Sequence, residues 1–560
     1  MHASANIAAT LVDCAKNHPD QVAIRSGQTH FMGFTIRAAQ ECTYGQLNAW
    51  STHIACALQG YGIGPHTHTA VMVRPSIVFF ALMFGLFKSG AIPVLIDPGI
   101  NPRVLRTCLR RADCQAFIGI PRAQYARWLL RWLPEVKKIV TVGGRYSYWG
   151  PTLHQLMLHY PPQHNILAKV KAEDTAAILF TSGSTGIPKG VVYRHSHFYA
   201  QITQLRDAFA LTPGGIDLPT FPPFALFGPA LGLTSILPDM DPRHPAKADP
   251  NKLHAAIALH GVTQMFGSPA LMRVLAQDGR KLPTIERAIS AGAPVPADTV
   301  THLRALMPAH GQFWTPYGAT ECLPVSVIEG RELERTTEAT QNGAGTCVGR
   351  ILAANTVRII AIDDKPLSSW EQVTELPQGQ IGEITVTGPT TTESYYNQPQ
   401  ETAHAKIIEP RPDGTWRIVH RMGDVGYIDA EGRLWFCGRK SQRVITRKHV
   451  LYTEQIEPIF NTVPGIRRTA LVGVGRNGYQ RAVVCFETSL PLRKASTHAL
   501  TQALHVKAHA YHIHTEIAVF LRHHHFPVDI RHNAKIQREV LARWAAKHPL
   551  ITALAHPRNA

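Results

Sequence analysis

Short apolar runs separated by helical stretches set the pattern of the first three hundred residues. "TAVMV" (69–73), "IPVLID" (92–97) and "AFIGI" (116–120) begin the series, and "AAILF" (176–180), "TQMFG" (263–267) and "RAISAGA" (287–293) continue it. Strand-length runs alternating with helices are satisfied by a parallel sheet covered by helices, so the spacing predicts an α/β layer fold. "SIVFFALMFGLF" (76–87), the longest apolar run, is too short to span a bilayer and reads as a buried core helix.

Past about residue 350 the texture changes. "NTVRIIAID" and "GQIGEITVTGP" alternate with glycine turns, which predicts a small β-rich subdomain. After "GRLWFCGRK" (432–440) the chain turns basic and His-rich, with strands ("RTALVGVG", "AVVCFE") and helices of its own. At 560 residues the chain exceeds a single core. The expected organisation is an N-terminal body at 1–437, a hinge at 438–441 and a small α+β C-terminal lid at 442–560.

Charge narrows the function classes. There are 57 Lys+Arg against 39 Asp+Glu, a net +18, but no basic run of five or six and no zinc-finger spacing. Scattered charge of this kind argues against nucleic acid as the partner and leaves at most peripheral membrane contact. The nine cysteines form no C-x-x-C pair and read as buried thiols in a reducing compartment. The N-terminus lacks a basic segment followed by an apolar core, so no signal peptide is expected and the expected location is cytoplasmic. His505, His509 and His512 fall on about one helical face, but no Cys or carboxylate completes a metal site there.

"TSGSTGIPKG" (181–190) carries the chemistry. Strand-like runs on both sides make it a strand–loop–strand element, whereas a Walker loop opens directly into a helix. Gly183 and Gly186 permit positive φ and close backbone approach, so successive N–H groups can line a concave anion nest. Thr181, Ser182, Ser184 and Thr185 add hydroxyls, and Lys189 adds a charge. A plain surface turn has no use for that combination.

The stretch resembles the signature of the adenylate-forming superfamily of acyl-CoA synthetases, peptide-synthetase adenylation domains and luciferases, and further motifs follow in the family's order. "SAGAPVP" (290–296), with Gly292, Ala293 and Pro294, is similar to the segment that packs on adenine. In "WTPYGATE" (314–321) the resemblance implies that Tyr317 stacks on adenine beside Gly318 and Ala319, and that Thr320 contacts the α-phosphate. It further implies that Glu321, with Thr181, holds Mg²⁺. Asp424 in "MGDVGYID" resembles the ribose ligand, and Arg439 in "GRK" is expected near ribose and phosphate. Lys535 in "DIRHNAKIQRE" resembles the catalytic lysine, which with Thr181 and Glu321 completes the implied catalytic set. ATP is the implied nucleotide.

What takes the acyl group from AMP is a separate question. Thioester-forming members commonly carry Asp or Lys at the hinge and a glycine-bearing loop after it; here the position is Ser441 and the next dozen residues hold no glycine. "PTFPPFALFGPALGLTSILPDMDP" (219–242), "VLYTEQIEPIFN" (450–461) and the 529–545 stretch resemble the β-lactone synthetases of bacterial long-chain olefin biosynthesis. That resemblance implies adenylation of a long-chain 2-alkyl-3-hydroxy fatty acid, then attack by its own 3-hydroxyl, with a complex of olefin-pathway enzymes as possible partner. A fatty acyl-CoA ligase is the nearest alternative, and a non-catalytic basic scaffold reusing the fold is another. His195 and His197, beside the loop, are candidate acceptors for the hydroxyl proton.

Overall fold

The computed structural model describes residues 4–26, 29–31, 34–36, 40–96, 100–144, 147–162, 166–181, 188–221, 225–489, 494–528 and 536–551. Six strands form one sheet in the order Gly190–Arg194, Thr175–Phe180, Ile92–Leu95, His68–Met72, Ala116–Gly119, Lys138–Thr141. All neighbours are parallel except Gly190–Arg194, which runs antiparallel to Thr175–Phe180. The runs at 69–73, 92–97, 116–120 and 176–180 thus become one parallel layer, those at 263–267 and 287–293 join a second sheet, and the signature loop is flanked by the paired strands Thr175–Phe180 and Gly190–Arg194. Helices Tyr44–Gly60 and Ile77–Ser89 pack into one apolar cluster, and Pro102–Arg111 with Pro121–Leu129 into another. The helix Ile77–Ser89 starts where the Ser76 side chain accepts from Phe79 N–H and stops at the left-handed Gly90.

A second sheet runs Thr356–Ile360, Gly382–Thr387, Trp416–Ile428, Arg433–Arg439, Thr346–Ile351, Cys322–Glu329, Gln312–Ala319, Arg287–Ser290, Gln264–Gly267, Ile216–Pro219, Thr234–Leu237, Val22–Ser26, Gln40–Thr43. Lys406–Pro410 pairs alongside Trp416–Ile428. Its middle is parallel, and it turns antiparallel from Gln312–Ala319 onward. The β-rich stretch past 350 is therefore hydrogen-bonded into the body sheet, through Arg433–Arg439 on Thr346–Ile351.

Beyond the short strand pair Val444–Ile445 and Val450–Leu451, the strands Ile466–Val474, Arg481–Thr488 and Val519–Arg522 form a third sheet. Helices Thr453–Asn461, Lys494–Ala510 and Arg538–Ala546 accompany it. Two apolar clusters lie in this region, both drawn wholly from Val444 onward. The histidines here pack on rings: His505 meets Phe520 edge-on at 4.8 Å, and His509 stacks on His514 at 3.9 Å. All nine cysteines are free thiols, and eight are buried. Among the described residues no helix is long and apolar enough to cross a membrane.

Candidate active site

A cavity of about 2290 Å³ opens at the C-terminal ends of the parallel strands, where ligands bind in open α/β sheets. Ser182, Gly183, Ser184, Thr185, Gly186 and Lys535 lie outside the described residues. Every other residue that the adenylate-forming motifs marked for nucleotide or metal lines this one cavity: Thr181, Lys189, Gly292, Ala293, Pro294, Tyr317, Gly318, Ala319, Thr320, Glu321, Asp424 and Arg439.

Backbone pairing explains how residues so far apart in sequence converge. Thr181 N–H donates to Lys189 C=O at 3.0 Å, closing the base of the signature loop. Gly292, just past the strand Arg287–Ser290, turns the chain at φ +100°, a conformation that an L side chain resists. Ala319 pairs with Cys322 across a hairpin, so Thr320 and Glu321 are its two turn residues. Asp424 and Arg439 are direct cross-strand partners of Trp416–Ile428 and Arg433–Arg439.

That register creates a charged pair at the cavity wall. Arg439 Nη1 lies 2.9 Å from Asp424 Oδ1, and Tyr317 Oη donates to Asp424 Oδ2 at 2.7 Å. Asp424 is only 2% exposed, so its charge is held by partners rather than by water. Burial, then the Asp424 charge, pushes the Tyr317 phenol well above its ordinary range, so it is a donor at any physiological pH. Asp424 raises the Arg439 guanidinium in turn.

Around Glu321 the structure adds residues that no sequence pattern marked. Tyr395 Oη donates to Glu321 Oε1 at 2.7 Å, and Tyr193 Oη donates to the Thr320 carbonyl. The 394–396 segment runs along Gly190–Arg194, with Tyr396 N–H donating to Gly190 C=O at 2.7 Å, and this brings Tyr395 beside Lys189. Lys189 Nζ sits 5.0 Å from the Tyr395 ring centroid and 2.8 Å from Glu401 Oε2. Buried Lys406 reaches the Thr392 carbonyl, and burial, opposed by Glu321, pulls its ammonium down to about 8.

Neither histidine offered as a proton acceptor lines the cavity. His195 Nδ1 accepts from Ile7 N–H at 3.1 Å, and His197 Nδ1 accepts from Arg194 N–H at 3.0 Å; both rings are buried. His195 ties the start of helix His195–Phe209 to the N-terminal segment, and His197 caps that helix. His420 does line it, with Nδ1 3.1 Å from the Ala405 carbonyl. Burial, then Lys406, holds its pKa well below the ordinary histidine range, which leaves it neutral and a weak base.

One part of the wall is apolar. Ala225, Leu226, Phe227 and Ala230 come from the aromatic, proline-rich stretch. Phe79, Met83, Phe84 and Phe87 come from the helix Ile77–Ser89, which the sequence marks only as core. At the far end Gly438 (φ +136°) admits Thr453, whose Oγ1 would lie 2.4 Å from an added Cβ. Next to it, Lys440 Nζ reaches Glu383 Oε1 at 3.0 Å, and Arg421 Nη2 reaches Glu383 Oε2 at 2.6 Å. Ser441 lines the cavity.

Similarity to known proteins agrees with this arrangement. The family model described as AMP-binding enzyme matches residues 11–396. The chain is 59% identical over 548 residues to a Stenotrophomonas maltophilia protein named olefin beta-lactone synthetase, covering 98% of this chain and 99% of that one. It is also 59% identical to the protein of the same name from Xanthomonas campestris pv. campestris, covering 97% and 98%. The structure of ATP-bound MatB from Rhodopseudomonas palustris superposes with a TM-score of 0.77 at 21% identity, over 97% of this chain and 99% of that one. The chain belongs to the AMP-binding enzyme family.

Proposed function

We propose that the protein adenylates a long-chain 2-alkyl-3-hydroxy fatty acid with ATP and closes the product to a β-lactone, releasing pyrophosphate and AMP, as a step of long-chain olefin biosynthesis. The observation that carries this reading is one cavity that joins Lys189, Glu321, Asp424 and Arg439 to a long apolar wall. The 59% identity to proteins named olefin beta-lactone synthetase supports the same product.

In the first half-reaction a carboxylate oxygen of the acid bonds to the α-phosphorus and pyrophosphate leaves. The protein's work is to hold two anions in line and to neutralise the charge that develops. Lys189, Thr181, the loop amides and Lys535 meet the phosphates, Thr320 the α-phosphate, Asp424 and Arg439 the ribose, and Tyr317 with 292–294 the base. Glu321 and Thr181 are hard oxygen donors on the same cavity and fit Mg²⁺, which would neutralise phosphate oxygens there.

In the second half-reaction the 3-hydroxyl oxygen bonds to the acyl carbon, the acyl–phosphate C–O bond breaks, and AMP leaves as the hydroxyl gives up its proton. The nucleophile is tethered, so no second substrate is captured. Aromatic and aliphatic walls keep out the water that would hydrolyse the adenylate. Ser441, the glycine-free stretch after it and the pinned Lys440 favour this route over CoA capture. Residues 442–560 act as a lid turning about 438–441, in the cytoplasm, within a complex of olefin-pathway enzymes.

The test is AMP release from ATP and a long-chain 2-alkyl-3-hydroxy acid, with and without CoA. Release without CoA, matched by lactone, is expected. Release that requires CoA would make the protein an acyl-CoA ligase instead.

A further inference from the structure

The helix Pro121–Leu129 is inverted relative to an ordinary surface helix, which buries its apolar stripe and shows its polar face. Here Gln124 and Arg127 are buried: Gln124 Nε2 donates to the Val140 carbonyl at 2.9 Å, and the Arg127 guanidinium lies 5.7 Å from the Phe117 ring centroid. Tyr125, Trp128 and Leu129 are instead more than half exposed, and Leu130 follows them into solvent. Among the described residues, 16 large apolar side chains are exposed, and four of them fall in these six positions. Scattered single exposures need no explanation, but a cluster does.

Charge accompanies the cluster. Residues 101–138 hold nine Arg and Lys against two acidic residues. Arg103, Arg106, Arg110, Arg122, Arg131 and Lys137 are exposed, and among the described residues none of the six forms an ion pair. The helices Pro102–Arg111 and Pro121–Leu129 lie over one apolar cluster, on which Val104, Ala123 and Ala126 pack. Leu105, Ala123 and Ala126 also line the cavity, so the exposed face borders its wall.

We propose that this face docks the protein on an anionic lipid bilayer. Trp and Tyr suit the headgroup level, leucines insert below it, and unpaired arginines are drawn to the negative surface. A second copy is a poorer occupant, because a two-fold contact would set the unpaired cations of one face against those of the other. Docking here would present the cavity wall to the bilayer, whichever long-chain acid the site activates.

The experiment is co-sedimentation of the full chain with vesicles of phosphatidylglycerol and phosphatidylethanolamine, beside vesicles of phosphatidylcholine alone. Binding to the anionic vesicles, weakened by salt, is expected. Trp128→Ser with Leu129→Ser, and separately Arg106→Glu with Arg110→Glu, should each lower it tenfold or more with the melting temperature kept. The arginine pair lies on another helix and keeps the test decisive if the apolar pair fails to fold. Wild-type protein left in the supernatant, or both variants sedimenting like wild type, overturns the proposal. So does a dimer that the apolar pair converts to monomer without any vesicle binding, because the face is then a subunit contact.

Discussion

Tyr395 Oη donates to Glu321 Oε1 at 2.7 Å, and the face of the same ring carries Lys189 at 5.0 Å and Lys406 at 6.0 Å. One phenol thus fixes the carboxylate while its ring holds two cations within cation–π range. Tyr395→Phe keeps the ring and removes only the donor. If Glu321 holds Mg²⁺ as proposed, a partner hydrogen-bonded to it is worth about 10–100-fold in metal affinity or activity. The variant should need more Mg²⁺ for half-maximal pyrophosphate exchange, with an unchanged melting temperature. An unaltered Mg²⁺ titration would remove Tyr395 from the account.

If Lys189 binds nucleotide as proposed, its ion pair with Glu401 competes for the same ammonium. Its partners are about one-third and one-half exposed, so the pair is worth at most about 1 kcal/mol. Glu401→Gln should lower the KM for ATP by no more than about fivefold. The KM for the acid should stay constant. A raised KM for ATP would mean that Glu401 assists binding rather than opposing it.

Asp424→Asn tests the cross-strand pair. The amide can still accept from Tyr317 but no longer balances Arg439. Hydrogen bonds to charged groups contribute about 1.5–3 kcal/mol, so the KM for ATP should rise roughly 10–100-fold while that for the acid stays near its original value. Equal losses for both substrates would point to a collapsed site instead of a lost nucleotide contact.

Four strands of the parallel layer were legible as short apolar runs, Lys138–Thr141 with only two apolar residues was not, and the signature loop was legible because its flanks are strands. Asp424 and Arg439 were each readable as motif residues, but their partnership depends on strand register, which no local pattern reveals. Tyr395, Lys406 and Glu401 carry no motif, and only the packing of the 394–396 segment along Gly190–Arg194 joins them to the loop. "SIVFFALMFGLF" read as core because buried wall and cavity lining demand the same residues. His195 and His197 misled through proximity in sequence, since the helix they begin turns both rings into the body.

His195 gives a pH dependence with a definite sign. Burial pulls its pKa from 6.5 to about 4, and Ile7 N–H needs its neutral Nδ1. Below pH 6.5 the unfolded chain takes up a proton that the folded chain refuses until about pH 4, so this contribution is complete above 6.5 and falls away towards 4. The loss approaches about 3 kcal/mol at the low end. Denaturant unfolding at pH 7 and pH 5 should give lower stability at pH 5, and His195→Asn should reduce the difference between the two. A variant with the wild-type difference would assign the acid sensitivity to other groups.

If one cavity runs adenylation and then ring closure, each carboxylate oxygen of the acid has a fixed destination. The 2-alkyl-3-hydroxy acid is supplied with ¹⁸O in both carboxylate oxygens, with ATP and no CoA, and the label is followed by mass spectrometry. One ¹⁸O is expected in the phosphate of AMP and the other in the lactone carbonyl, with an unlabelled ring oxygen from the 3-hydroxyl. Unlabelled AMP, or labelled AMP accompanied only by free acid, would contradict it.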